Sequence, residues 1–158
     1  MKKLALLFAG LSLMVGTTAC NDDENETVQE FPIVGTWKPV AEVRTEVDLD
    51  GVGVSDEITY TTCQQESRWV FNENNSGKRT NKDEAGSPLT CSTISERNFS
   101  YTYNKTEKNF EIKYQGTVVS EKGKIVDLTA ETMNLKIEDN VDPTVYKATT
   151  YTFKRVAP

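Results

Sequence analysis

Alternation of apolar and polar residues is the feature that most limits what this chain can fold into. From residue 37 to residue 47 one parity carries Trp37, Ala41, Val43 and Val47, and the other carries Lys38, Glu42, Arg44 and Glu46. A period of two is typical of a β-strand with one buried and one solvated face. Pro39 has no backbone N–H to donate, so it predicts an edge position or a bulge early in this strand.

The pattern recurs in short segments along the chain. Further strands are predicted around Ile58, Trp69, Tyr101, Ile112, Val118, Ile125, Leu135 and Phe153. Residues 74–77 predict a hairpin turn, residues 48–57 a loop, and residues 78–90 a long loop or a poor strand. The chain from residue 20 onward contains no amphipathic pattern typical of a long helix. Short strands at regular spacing predict an all-β fold, either an antiparallel sandwich or a barrel.

The first residues predict export from the cytoplasm. Lys2 and Lys3 precede an apolar run at residues 4–15, which is too short for a membrane-spanning helix of about 20 residues. Small residues at 17–19 follow, as in a secretory signal peptide. We therefore assign residues 1–19 to a signal peptide outside the fold.

Cys20, directly after the small residues, resembles the lipidated cysteine of the bacterial lipoprotein lipobox, although Thr17 stands where that motif usually has Leu. The resemblance implies a mature N-terminus at Cys20 whose acyl chains anchor the protein to a membrane. The alternative is an ordinary cleaved signal peptide followed by a free cysteine.

Residues 20–30 are predicted to form a flexible tether, because they are rich in carboxylates and contain no aromatic residue. The acidic run at residues 21–24 resembles the signal that sends some Gram-negative lipoproteins to the cell surface. That resemblance implies an outer-membrane protein exposed on the cell surface. The alternative is that the acidic run is only a solvated spacer. In that case the protein would face the periplasm.

Cys63 and Cys91 are the cysteines that remain once Cys20 is set aside. Disulfides persist outside the cytosol, so we predict a bridge between these two residues at the outside or rim of the fold. A reactive or metal-binding pair is the alternative, but the chain contains no histidine to support it.

Gly35, Thr36 and Trp37 resemble the Gly-x-Trp signature of lipocalins, and with the N-terminal features the chain resembles the lipocalin-like lipoproteins of Gram-negative bacteria. The likeness covers residues 33–156 and implies an antiparallel eight-stranded up-and-down (meander) β-barrel domain at residues 31–158. A β-sandwich remains the alternative. The family also implies that Trp37 packs near a basic residue of the last strand, which here would be Arg155.

A lipocalin-like barrel implies a small apolar or amphipathic ligand bound in its interior. The predicted interior aromatic set, which would contact that ligand, is Trp37, Tyr60, Trp69, Phe71, Tyr101, Tyr103, Phe110, Tyr114, Tyr151 and Phe153. Core packing by the same rings is the alternative. In that case the barrel is solid, and the long loops at residues 48–57 and 78–90 would bind a partner protein or glycan of the envelope.

The loop at residues 48–57 also resembles a calcium loop in part. Its possible ligands are Asp48, Asp50, Asp56 and Glu57. Val52 occupies a position where calcium loops place a side-chain oxygen, so a glycine-rich connection is the preferred interpretation.

Other function classes find little support in the sequence. The chain has no histidine, nucleophile elbow or phosphate loop, so we predict neither catalysis nor a cofactor. Its net charge of −6 and the absence of a basic stripe argue against nucleic acid as a partner.

Lipidation is tested by mass spectrometry of the protein extracted from membranes, where an acylated N-terminal Cys20 is expected. Cys20→Ala should release the protein into the soluble fraction without changing its thermal unfolding, because the tether contributes nothing to the core. A soluble wild-type product that begins downstream of Cys20 would contradict the prediction.

Overall fold

The computed structural model describes residues 31–139, 142 and 144–157. These residues form nine strands: β1 (Gly35–Val47), β2 (Gly53–Thr59), β3 (Arg68–Phe71), β4 (Ser76–Ala85), β5 (Thr90–Asn104), β6 (Asn109–Tyr114), β7 (Glu121–Leu128), β8 (Thr132–Asp139) and β9 (Tyr146–Arg155). A short 3₁₀ helix, Gln64–Glu66, lies between β2 and β3.

The sheet closes on itself. Neighbouring strands pair antiparallel from β3 to β9, and β1 pairs with β3 on one side and with β9 on the other. The eight strands β1 and β3 to β9 therefore form a closed up-and-down barrel, which confirms the barrel prediction over the sandwich. β2 lies outside this ring and pairs with residues 41–47 of β1.

One end of the barrel, which we call the closed end, is sealed by Trp37. The Arg155 guanidinium lies 4.1 Å from the centre of the Trp37 ring, so the predicted cation–π contact is confirmed. Arg155 also donates hydrogen bonds to the carbonyls of Pro32 and Val34, and Trp37 donates from its indole nitrogen to the Ile33 carbonyl. The chain that precedes β1 is thereby fastened across the closed end.

A β-bulge between Pro39 and Ala41 changes which residues of β1 face inward. The bulge was predicted from Pro39, but its consequence for the later residues was not. Because the bulge inserts one residue, Glu42 faces the interior and is 4% exposed. The placement of Glu42 on the solvated face was therefore wrong.

Residues 78–90, predicted as a long loop or a poor strand, are mostly strand. Residues 78–85 belong to β4 and Thr90 begins β5, and these two strands pair with each other. Two further predictions are corrected. Half of the loop predicted at residues 48–57 is strand β2. Val118, predicted to lie in a strand, is 91% exposed in the turn between β6 and β7.

A disulfide joins Cys63 and Cys91, as predicted. Cys63 is buried next to the 3₁₀ helix, whereas Cys91 is exposed on β5. The bridge lies towards the end opposite Trp37, which we call the open end. It connects the segment after β2 to a strand with which that segment does not pair.

We expect removal of the disulfide to lower stability while the barrel survives. The cross-link spans 28 residues of chain, so Cys63→Ala/Cys91→Ala should reduce the free energy of unfolding by about 3–4 kcal/mol on the loop-entropy model. Urea denaturation measures the loss, and non-reducing peptide mapping should recover the two cysteine peptides joined. Ready labelling of both thiols in the native protein would rule the bridge out.

Candidate ligand-binding site

Aromatic rings fill the closed half of the barrel. The ring centres of Phe71 and Tyr101 lie 5.1 Å apart in an edge-to-face arrangement, and those of Trp69 and Phe153 lie 5.3 Å apart. Both distances are typical of packed aromatic pairs. The Tyr101 hydroxyl donates to the Asn72 carbonyl, so burial leaves this hydroxyl satisfied. The closed half is therefore a packed core.

The open half of the interior is polar. Buried Glu42 accepts a short hydrogen bond from the Tyr60 hydroxyl through one carboxylate oxygen. Its other oxygen lies 2.5 Å from the Arg44 guanidinium, which forms an ion pair but not a hydrogen bond of good geometry. Arg44 is 65% exposed, so water screens this pair and it contributes little to stability.

Arg79 of β4 lies across the same space. Its guanidinium stacks on Trp69, with its central carbon 4.3 Å from the ring centre. It donates to the Asn81 side chain at 2.9 Å and to the Tyr114 hydroxyl at 3.1 Å, and it lies 5.7 Å from the Tyr151 ring centre. These partners are all uncharged, so the arginine is positioned without being neutralised.

An open cavity of about 230 Å³ lies between these groups. Glu42 and Tyr60 line one part of it, and Trp69, Arg79 and Tyr151 line another. An apolar wall next to a few convergent polar groups is the usual composition of a small-molecule site. The volume restricts any occupant to a small molecule.

Burial also shifts the acidity of the tyrosines. Burial, together with the hydrogen bond to Glu42 and the charge of that carboxylate, raises the pKa of Tyr60 far above its ordinary value. Burial likewise raises the pKa of Tyr114 and Tyr151, with Arg79 acting in the opposite direction. These hydroxyls therefore remain hydrogen-bond donors throughout the neutral range.

The ten aromatic residues of the predicted interior set fall into two groups. Those in or against the packed core, away from the cavity, are Trp37, Phe71, Tyr101, Tyr103, Phe110, Tyr114 and Phe153. Tyr60, Trp69 and Tyr151 line the cavity. Tyr114 reaches the site indirectly, through its hydrogen bond to Arg79.

The four possible calcium ligands do not converge. One Asp48 carboxylate oxygen accepts the backbone N–H groups of Asp50 and Val52, which closes the turn. Asp56 and Glu57 are consecutive residues of β2 and so point to opposite faces. Among the residues that the structure describes, no group of three or more metal-binding side chains is assembled.

Cys20, the signal peptide and the acidic tether lie outside the described residues. No helix in the described part of the chain is both long and apolar enough to cross a membrane.

Sequence reasoning missed Glu42 and Arg79 as site residues. The bulge at Pro39 reverses the inward parity and brings Glu42 inside. Arg79 lies in a segment predicted as a loop or poor strand, yet it pairs directly with Trp69 across the hairpin. The turn predicted at residues 74–77 would have paired Trp69 with Lys82 and put Arg79 on the opposite face, so the observed register is what reveals Arg79.

Comparison with known proteins agrees with this architecture. A family model described as "Lipocalin-like domain" matches residues 33–135. The chain belongs to the lipocalin-like family. Proteins of this family generally bind ligands and do not catalyse reactions. The resemblance read from Gly35 and Trp37 is thereby confirmed at the level of family and fold.

Solved structures similar to this lipocalin-like protein have low sequence identity. Lobster apocrustacyanin A1 matches at 12% identity with a TM-score of 0.47, and the match covers 79% of this chain and 61% of the apocrustacyanin chain. Bovine odorant binding protein in complex with its natural ligand matches at 11% identity with a TM-score of 0.43, covering 82% and 77%. The comparison with curated proteins finds no match.

Stability should fall as the pH rises above about 10, the ordinary pKa of tyrosine. The buried tyrosines have raised pKa values in the folded protein, so the unfolded chain loses these protons first. The stability that these buried tyrosines contribute is fully present below the pKa of tyrosine in the unfolded chain. It is lost as the pH rises above that pKa. Urea denaturation across this range should show the decline, and Tyr60→Phe should make it shallower. Tyrosinate absorbance that develops for every tyrosine at the ordinary pH in the folded protein would contradict the hydrogen bonding described.

Proposed function

We infer that this lipocalin-like protein binds a small amphipathic molecule at the open end of its barrel. The observation that supports this function is the cavity itself, in which the faces of Trp69 and Tyr151 lie beside Arg79 and Glu42. A purely apolar ligand would withdraw both charged groups from water and leave Arg79 unpaired, at a cost of several kcal/mol. A molecule with one polar end would satisfy them.

We also propose that the protein acts while anchored to the outer membrane of a Gram-negative bacterium through lipidated Cys20, exposed on the cell surface. The lipobox-like and acidic patterns of the first 30 residues support this proposal. Residues 32–34 are fastened at the closed end, so the chain from Cys20 would reach the barrel there. The open end and its cavity would then face away from the membrane.

A second function has its own observation in favour. Loops of the open end carry large apolar side chains in water, among them Leu49 (78% exposed), Leu89 (73%) and Val119 (79%). Exposed apolar residues gathered at one end of a domain are typical of a contact surface for another macromolecule. On this alternative, the loops bind an envelope protein or glycan and the interior binds nothing.

Two tyrosine variants separate the functions. Tyr151 lines the cavity, so Tyr151→Ala should weaken binding of 1-alkanols from butanol to decanol more than it lowers stability. Tyr101 packs in the closed half, so Tyr101→Ala should cost about 3–5 kcal/mol of unfolding free energy and spare the cavity. Quenching of tryptophan fluorescence measures binding, since Trp69 lies in the cavity wall, and urea denaturation measures stability. If neither the alcohols nor carboxylates of the same lengths bind, the loop function replaces the cavity function.

A further inference from the structure

We propose that the ligand carries a carboxylate, and that Arg79 is the residue that recognises it. This inference rests on the proposed binding function and adds the chemical class of the ligand. It is carried by a cation inside the barrel that lacks an anionic partner, by a second arginine directly opposite it, and by the apolar wall beside them.

Arg79 is a cation without a counter-charge. The ion pairs of the described residues involve Arg44, Lys78, Lys82, Lys136 and Lys147, and none involves Arg79. Charged side chains withdrawn from water are normally paired with an opposite charge, because the desolvation cost is high. Hydrogen bonds to Asn81 and Tyr114 use two of its five N–H groups, and Tyr151 is a further partner. Donors therefore remain for a ligand.

Arg97 reinforces the positive charge. It is the direct cross-strand partner of Arg79, and it stands two residues before Phe99 on the inward parity of β5. Its guanidinium carbon lies 3.8 Å from the centre of the Tyr114 ring, whose hydroxyl accepts from Arg79. Like charges directly opposite on a sheet are destabilising. Arg97 is exposed and does not line the cavity, so it favours an anion near Arg79 through its charge alone.

The carboxylates near Arg79 do not neutralise it. Asp83 also lines the cavity, and one of its oxygens accepts hydrogen bonds from the Gln64 side chain and the Glu84 backbone N–H. Glu42 is already engaged by Tyr60 and Arg44. Glu121 acts electrostatically on Tyr114 and Tyr151 but forms no ion pair with Arg79. Three cations (Arg44, Arg79 and Lys82) and two carboxylates (Glu42 and Asp83) line the cavity. Arg44 and Lys82 form ion pairs, whereas among the described residues Arg79 forms none, so an anionic ligand meets an unpaired guanidinium. The charges therefore favour an anion.

The geometry of Arg79 selects a carboxylate on an apolar body. A planar guanidinium presents paired N–H groups that match the two oxygens of a carboxylate. Stacking on Trp69 restrains the orientation of that plane. The Trp69 and Tyr151 rings and Pro39 supply apolar surface for the rest of the molecule, and the volume of about 230 Å³ restricts that body to a short chain or one small ring.

Matched probes test the inference. Straight-chain carboxylates from butanoate to decanoate are compared with 1-alkanols of the same lengths by calorimetric titration of the wild-type protein. The carboxylates should bind at least about 10-fold more tightly, as expected for a charge-assisted hydrogen bond. Arg79→Gln should weaken carboxylate binding by about 10- to 100-fold and should weaken alcohol binding much less, because an alcohol forms no ion pair with the guanidinium. Arg79→Lys keeps the charge and should retain part of the preference.

Lys78→Gln is the matched control. Lys78 is the neighbouring residue on the outer face of β4, where it pairs with Glu96 at 3.0 Å. Its substitution removes the same charge without touching the cavity, so carboxylate binding should stay within about twofold of wild type. An equal loss in both variants would show a long-range effect of net charge and would overturn the role of Arg79.

The remaining outcomes separate the two proposals. Equal affinity for carboxylates and alcohols in the wild-type protein would overturn the carboxylate inference and leave the amphipathic-ligand function standing. Failure of both probe series to bind would overturn the function itself. The wild-type comparison decides the matter even if Arg79→Gln does not fold.

Discussion

The β-bulge between Pro39 and Ala41 determines how the two halves of the barrel interior differ. Before the bulge, β1 presents Trp37 to the closed end, where Arg155 covers the ring. After it, the same strand presents Glu42 to the open end. A regular strand of this sequence would have placed Ala41 and Val43 inside instead, and β1 would have contributed no carboxylate to the interior. The bulge follows from chemistry at Pro39, which has no N–H to donate to the ladder.

The polar side chains in the open half of the interior lower the stability of the fold. Aromatic rings from β3, β5, β6 and β9 pack in the closed half, and Arg79 interrupts this packing towards the open end. Its cation–π contact with Trp69 contributes about 0.5–2 kcal/mol, which offsets part of the desolvation cost of a cation. Residues that lower the stability of the fold locally are commonly found at functional sites. The contrast between a filled aromatic half and an unneutralised arginine is therefore the main physical support for a binding role.

The presence of strands and of an aromatic core was predictable from the sequence. Both follow from the alternation of apolar and polar residues and from the size of the side chains. Trp69, Phe71, Phe110 and Phe153 all lie inside as predicted. The turn after β3 lies at residues 72–75, two residues before its predicted place, because Ser76 and Gly77 already belong to β4. The polar strands were harder to predict. β4 carries few apolar residues, and it is a strand because β3 and β5 flank it and pair with its backbone. Backbone pairing between distant segments leaves little trace in the residues themselves.

By itself, the sequence determined an all-β chain, its aromatic interior, the Cys63–Cys91 pairing, the Trp37–Arg155 contact and the lipocalin-like family. These follow from period, from cysteine number and from a motif, which are properties of short segments. Only the tertiary structure decided that the closed half is filled, that Glu42 turns inward and that Arg79 lies in the cavity with Arg97 as its cross-strand partner. Such features depend on the register between strands and on a one-residue bulge. A shift of one residue exchanges the inside and outside of every later position in a strand, so local pattern alone could not assign them.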